Sequence, residues 1–229
     1  MAVYGRDRNP GKIDPLAKSS SLLLEMLVDS PYAVWMCDDG TGAPLDKSGN
    51  GRHLTLSLGT NTYTTDPDYG TVLTMTNGLW AWPFRLPQSS YTLESWVKFN
   101  SSVVEQSPIS DWGGNYSAGA MIYLSSMSLR GYHGAAGYIS GGTLSTGAWY
   151  HLVLTWDGSI VRLYVNGVEV GTLGTSATPG TANGPSNGAF LSGYGNTIAS
   201  AKVNGVGRGF AVYTQALSAT RITAHYGYA

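Results

Sequence analysis

The chain predicts an all-β protein, an antiparallel sandwich or barrel of short strands. Three observations carry that expectation. The clearest is the stretch from Trp149 to Leu173, where Asp157-Gly158 and Asn166-Gly167 interrupt β-branched and aromatic runs. Both dipeptides tolerate the positive φ of a two-residue hairpin turn, which predicts three consecutive antiparallel strands. Runs of the same kind recur between turn clusters. They predict about a dozen strands, near 32–37, 53–58, 70–76, 91–99, 119–125, 128–132, 136–140, 149–156, 160–166, 168–173, 188–193 and 206–213. Composition agrees, with 31 Gly for turns and aromatics dominated by 15 Tyr and 7 Trp. Such rings suit strands, interfaces and sugar-stacking surfaces.

Alternation assigns faces within the meander. Leu152, Leu154 and Trp156 share one side of their strand and Val153 takes the other. In the next strand Val161, Leu163 and Val165 oppose Ile160, Arg162 and Tyr164. The clusters Asp38-Asp39-Gly40, Ser48-Gly49-Asn50-Gly51 and Asp111-Trp112-Gly113-Gly114 read as turns, and Gly174 to Gly188 as a long surface loop.

The N-terminal segment differs. Residues 1 to 20 hold Arg6, Arg8, Lys12 and Lys18 against Asp7 and Asp14, with Pro10 and Pro15 expected to break regular structure. Two readings stand: a solvated arm, or a docking arm whose four cations contact a neighbouring protein. Ser19 to Val28 reads as a short helix ended by Asp29-Ser30-Pro31, too short to stand without packing partners. Ala216 to Tyr226 carries helical spacing, with Leu217 and Ile222 on one side and Ser218 as cap. The expected organisation is a docking segment over 1–30 and a β domain over 31–229.

Charge and cysteine usage exclude several classes. A net charge of −1 supplies no field for nucleic acid or an anionic membrane. Cys37 is the single cysteine, so no internal disulfide or cysteine zinc cluster forms, and it reads as an inert buried thiol. The first residues lack the apolar stretch of a secretory signal, which predicts assembly in a cytoplasm. Leu22 to Leu24 is too short an apolar run for a membrane span.

Catalysis finds little support. Glycoside hydrolysis needs two carboxylates flanking the bond, and Glu25, Glu94, Glu105 and Glu169 are isolated from one another. His53, His133, His151 and His225 are scattered, and His151 reads as a satisfied structural residue. Calcium is the one metal with candidate ligands: Asp38, Asp39, Asp46 and Asn50 place hard oxygens in neighbouring turns. The competing reading makes Asp46-Lys47-Ser48-Gly49 a plain Asx-turn. For sugar recognition the candidates are Trp112, Asn115 and Tyr116, then Tyr194 with Asn196, then Trp80 and Trp82. Core packing or a subunit contact is the alternative for each.

Four stretches in order carry a resemblance: SPYAVWMCDDGTGAPLDKSGNGRHLTL, YTLESWVKF, WYHLVLTWDGSIVRLYVNGVEV and GFAVYTQALSATRITAHY. Together they resemble a laminin G-like, concanavalin A-like jelly-roll domain over roughly residues 31–229. That resemblance implies two antiparallel sheets, one often concave, and a calcium near the position of Asp46 in some relatives. Hydrolases of this fold class carry an E-x-D-x-x-E run, which this chain lacks. The lead-in LLLEMLVDSPYAVW is similar to segments that precede such domains in bacteriophage tail proteins. The implied function is a non-enzymatic virion protein, a minor tail component displaying its domain for host-surface glycan adhesion or for particle reinforcement, with a capsid decoration protein as the nearest variant. It would contact other virion proteins through its arm, with host glycan and a homo-oligomer as further partners. A soluble lectin without an assembly role is the alternative.

Overall fold

A computed structural model of the chain describes residues 14–102, 105–112, 119–180, 189–193 and 202–228. It opens with helix α1 (Pro15–Val28) and strands β1 (Ala33–Trp35), β2 (Thr55–Gly59), β3 (Tyr63–Asp66), β4 (Gly70–Thr74) and β5 (Gly78–Trp82). Next come β6 (Tyr91–Phe99), β7 (Glu105–Trp112), β8 (Gly119–Ser125), β9 (Ser128–His133) and β10 (Tyr138–Thr143). The chain continues through β11 (Trp149–Trp156), β12 (Ile160–Val165), β13 (Val168–Gly174), β14 (Ala189–Leu191) and β15 (Gly205–Tyr213), and then helix α2 (Ala219–Gly227).

Two antiparallel sheets face each other in a concanavalin A-like jelly roll, as the sequence predicts. One is eight-stranded, ordered β13-β12-β11-β6-β15-β4-β3 with β1 also on β15. The other is seven-stranded, ordered β10-β9-β8-β7-β14-β5-β2. Leu152, Leu154, Trp156, Val161 and Leu163 point between the sheets and meet Ile109, Ile122, Leu124 and Leu129. Val153 and Tyr164 point to the opposite side, as alternation requires.

Asn166 (φ 52°) and Gly167 (φ 79°) form the tight turn that their sequence announces. The earlier turn is shifted by one place. Asp157 N–H donates to Ile160 O at 3.3 Å, so the turn centres on Gly158 (φ 96°) and Ser159. Asp157 instead uses its carboxylate, accepting from Ser159 N at 2.9 Å and Ile160 N at 2.8 Å.

Other elements depart further from the sequence reading. Pro15 opens α1 instead of breaking it, because a first-turn residue has no intrahelical use for the N–H that proline lacks. β3, β5 and β7 are strands missing from the expected list. β7 is polar and holds Pro108, yet Gln106 to Asp111 are buried. It is tolerated because Pro108 sits at a bulge and the hydroxyls are satisfied: Ser107 Oγ donates to Ile122 O and Ser110 Oγ to Gly193 O, both at 2.7 Å.

Both helices cover the outer side of the eight-stranded sheet. Leu22 and Met26 of α1, with Leu217 and Ile222, pack on Val34, Met36, Trp96, Val153, Tyr164, Ala211 and Tyr213. Ser218 caps α2 by accepting from Arg221 N. Among the described residues no helix is long and apolar enough to cross a membrane.

Candidate functional site

The outer side of the seven-stranded sheet is built by the meander of β8, β9 and β10. Ala120, Ile122 and Leu124 of β8, Leu129 of β9 and Ile139 of β10 turn into the core. A period of two then sends Met121, Tyr123, Arg130, Tyr132, Tyr138 and Ser140 outward. Register groups them: Tyr132 lies opposite both Met121 and Tyr138, and Arg130 opposite both Tyr123 and Ser140. The Tyr132 and Tyr138 ring centroids are 5.3 Å apart, and Tyr123 meets Tyr132 edge-on at 6.2 Å. The Arg130 guanidinium sits 4.6 Å from the Tyr138 ring centroid. Exposure grows across the patch, from 0% at Met121 to 4% at Tyr123 and 46% at Tyr138. The patch is therefore open at the β10 edge. Sequence reasoning placed these strands but did not single out Tyr123, Arg130, Tyr132 or Tyr138; the signal was Met121-x-Tyr123 and Arg130-x-Tyr132 on adjacent strands.

The predicted sugar residues are only partly described. Trp112 ends β7, its backbone paired with Gly119. Asn115, Tyr116, Tyr194 and Asn196 lie outside the described residues. Of this stretch the described Gly193 accepts through its carbonyl from Ser110 Oγ of β7 at 2.7 Å. Trp80 and Trp82 are core residues, at 0% and 4% exposure, and the Trp82 indole N–H donates to Ser110 O at 3.2 Å. The packing alternative describes both.

Glu94, read as a lone strand carboxylate, has two buried imidazole partners. His151 Nε2 is 2.8 Å from its Oε1, and His225 Nδ1 is 3.1 Å from Oε2. His225 Nε2 lies 2.8 Å from Asp29 Oδ2, and Arg221 joins Asp29 (2.9 Å) to Glu25 (2.6 Å). A histidine with a carboxylate at each ring nitrogen must donate from both, so this geometry calls for an imidazolium at His225. Burial pushes the Glu94 carboxyl up, but the His225 charge and the hydrogen bonds from both histidines hold it down at about 2. Burial pushes the His225 pKa down, and the charges and hydrogen bonds of Glu94 and Asp29 outweigh it, leaving a net rise above 6.5. Glu94, His151 and His225 are fully buried under α1 and α2, so the chain joins elements and offers no surface to a substrate.

The calcium candidates sit at the β1 end of the same sheet. Asp46 Oδ1 accepts from Val34 N (3.0 Å) and Ser48 N (2.9 Å); Oδ2 accepts from Ser48 Oγ (2.8 Å) and Arg52 N (2.9 Å). Burial raises its pKa, and these hydrogen bonds more than reverse the rise. Asp39 pairs with Lys47 at 2.8 Å, and the Asn50 amide donates to Pro31 O (3.2 Å) and Tyr32 O (3.1 Å). This is the hydrogen bonding of the Asx-turn alternative. Among the described residues no group of three or more His, Cys, Asp or Glu is placed to hold a metal. A cleft of about 420 Å³ adjoins this turn, lined by Leu27, Ser30, Pro31, Tyr32, Ser48, Asn50 and Arg52. Its Arg52 guanidinium stacks on the Tyr32 ring at 3.5 Å.

Of the docking-arm cations, Arg6, Arg8 and Lys12 lie outside the described residues. Lys18 engages this chain itself, its ammonium 5.1 Å from the Tyr69 ring centroid. Cys37 is buried, and burial pushes its thiol well above the ordinary range, in keeping with an inert role.

The family model described as the concanavalin A-like lectin/glucanases superfamily (Laminin_G_3) matches residues 48–223. No curated protein matches the chain. Among solved structures, domain 4 of AbnA, an extracellular arabinanase from Geobacillus stearothermophilus in complex with arabinotriose, is similar at TM-score 0.66 and 20% identity. That match covers 86% of this chain and 98% of the arabinanase domain. The binding domain of Paraclostridial Mosquitocidal Protein 1 follows at 0.63 and 16%, covering 87% of this chain and 52% of that one. The receptor binding domain of botulinum neurotoxin D gives 0.62 and 14%, covering 88% and 53%. This chain thus spans about half the length of the two toxin domains.

Proposed function

The chain belongs to the concanavalin A-like lectin/glucanases superfamily, and from that premise we propose that it is a non-enzymatic bacteriophage virion protein, a minor tail component that displays a glycan-adhesion face. The observation that carries the adhesive part is the outward patch of Tyr132, Arg130 and the half-exposed Tyr138. Tyrosine rings offer a flat apolar face to sugar C–H groups and a hydroxyl to sugar oxygens. The arabinanase domain, similar over nearly its full length, is a relative in fold that was solved with a trisaccharide.

The absence of an enzymatic role rests on chemistry. Glu94, a strongly perturbed carboxylate on the covered sheet, is clamped between two histidines and sealed from solvent. The assembly role rests on the order of segments. A basic stretch with Arg6, Arg8 and Lys12 leads directly into α1, which is fixed to the domain by Leu22 and Met26. A stem anchored in this way transmits docking of the arm to the whole sandwich.

The test removes residues 1–13, which leaves α1 whole, and follows both incorporation into particles and glycan-array binding. The reading expects incorporation to be lost and array binding to persist. Normal incorporation of the truncated chain would sink the arm as anchor, and failure of even the intact chain to enter particles would leave the soluble lectin. Recovery of the intact protein on capsids instead of tails would favour a decoration protein, and its mass in solution reports a homo-oligomer.

A further inference from the structure

The outer patch of β8 to β10 holds a cation that no described carboxylate neutralises. Arg130 is half-buried, yet among the described residues no carboxylate pairs with it. Its cross-strand neighbours are Tyr123 and Ser140. Every other outward group on β8, β9 and β10 is apolar, hydroxyl-bearing or phenolic: Met121, Tyr123, Ser125, Ser128, Tyr132, Tyr138 and Ser140. The nearest acid by register is Glu105, two strands away on β7 opposite Ser125. Three other arginines are matched by carboxylates: Arg85 with Asp111, Arg162 with Asp157, Arg221 with Glu25 and Asp29. Two aromatic-stacked arginines remain: Arg52, over the Tyr32 ring, whose guanidinium donates to the Tyr32 carbonyl at 3.0 Å, and Arg208, which is buried and out of reach of a ligand.

We propose that this patch selects acidic glycans, the Arg130 guanidinium taking the carboxylate of a uronate or sialate residue while Tyr138 and Tyr132 stack the sugar rings. The inference rests on the glycan-adhesion reading above and adds the chemical class. A guanidinium presents a planar fork that fits a carboxylate through two hydrogen bonds, and stacking on Tyr138 restricts where that fork points. Partial burial lowers the screening that weakens fully exposed ion pairs. The hydroxyl of exposed Ser140, opposite Arg130, is placed for a ring oxygen beside the carboxylate. A neutral sugar would stack on the same tyrosines but leave the cation unmatched.

The experiment measures binding of the full chain to trigalacturonate and to its methyl ester, which keeps the sugar and removes the charge. Sialyllactose and lactose serve as a second pair. The acidic members should bind about tenfold more tightly than their neutral partners, the usual scale of a charge-assisted contact. That preference should shrink with added salt and collapse in Arg130→Gln, the ratio of acid to neutral affinity falling to about one, while Arg130→Lys keeps part of it. Equal binding of acid and ester, lost in Tyr138→Ala, would overturn the acidic class and leave the adhesion face standing. Binding that Tyr138→Ala does not change, or no binding to either pair, would overturn both.

Discussion

The outer side of the eight-stranded sheet lies beneath α1 and α2, whereas that of the seven-stranded sheet ends at β10 in Tyr138, 46% exposed beside Arg130, which no described carboxylate pairs. The two faces start from similar material: each alternates apolar residues inward with aromatic and polar ones outward. On the covered face the carboxylates and histidines have partners inside the chain, while the buried Arg208 has only the Tyr69 ring against its guanidinium. Glu94 serves His151 and His225, Asp29 serves His225 and Arg221, and Trp96 stacks on His151 at 4.6 Å. On the open face Tyr132 stacks on Tyr138, and among the described residues Arg130 meets the Tyr138 ring and no carboxylate. A titratable group with an unusual environment is thus a poor guide to function here. The unmatched group at an open edge is the better one.

The largest effects are expected on the covered face. Glu94→Ala leaves two buried imidazoles without their acceptor and should cost about 3–5 kcal/mol in urea unfolding, the scale for breaking a buried ionic network. A loss under about 1 kcal/mol would mean the network adds little to stability. Leu22→Ala opens a void where α1 meets the sheet and should cost about 2–5 kcal/mol. A smaller value would show α1 to be loosely held.

Stability should also depend on pH from both sides. Glu94 is held down at about 2, so its contribution is complete above its ordinary 4.5 and is lost as pH falls towards 2. His225 is raised, so its contribution is complete below 6.5 and is lost as pH rises through its folded pKa. Melting temperature against pH should therefore show a plateau that falls at both ends. The alkaline fall should be absent in His225→Gln; its survival there would assign it to another group.

Effects on the open face should be small in stability. Tyr138→Ala removes a half-exposed ring and should leave unfolding within about 0.5 kcal/mol of the parent. A larger loss would make Tyr138 a packing residue and blur the contrast between the faces. The smallest effect is expected from chelation. The four donors on Asp46 and the Lys47 partner of Asp39 already occupy those oxygens, so EDTA should not move the melting temperature. A fall on EDTA, restored by calcium, would revive the metal reading of Asp39, Asp46 and Asn50.

The fold was legible wherever alternation was strong. β6 and β11 have the expected bounds, and the inward and outward residues of β11 and β12 sort as predicted. β7 was not legible because Ile109 is the one aliphatic residue among its buried Gln106, Ser107, Pro108, Ser110 and Asp111, and the hydrogen bonds that satisfy the serines depend on partners outside the strand. The start of α1 was misplaced because proline reads as a breaker unless its position in the first turn is known. The clamp was illegible for a different reason. Glu94, His151 and His225 are 57 and 74 residues apart, and only the register of β6 with β11 and the return of α2 bring them together. The open patch was legible in part, since Tyr123, Tyr132 and Tyr138 fell in expected strands, but their adjacency needed the order β10-β9-β8.

The most direct measurement is glycan-array binding of Tyr138→Ala beside the intact protein, with a thermal melt of each. The division between a sealed face and an open one predicts that binding is lost while the melting temperature stays put. Binding that persists in a well-folded Tyr138→Ala protein would contradict it and move any adhesion site away from this sheet.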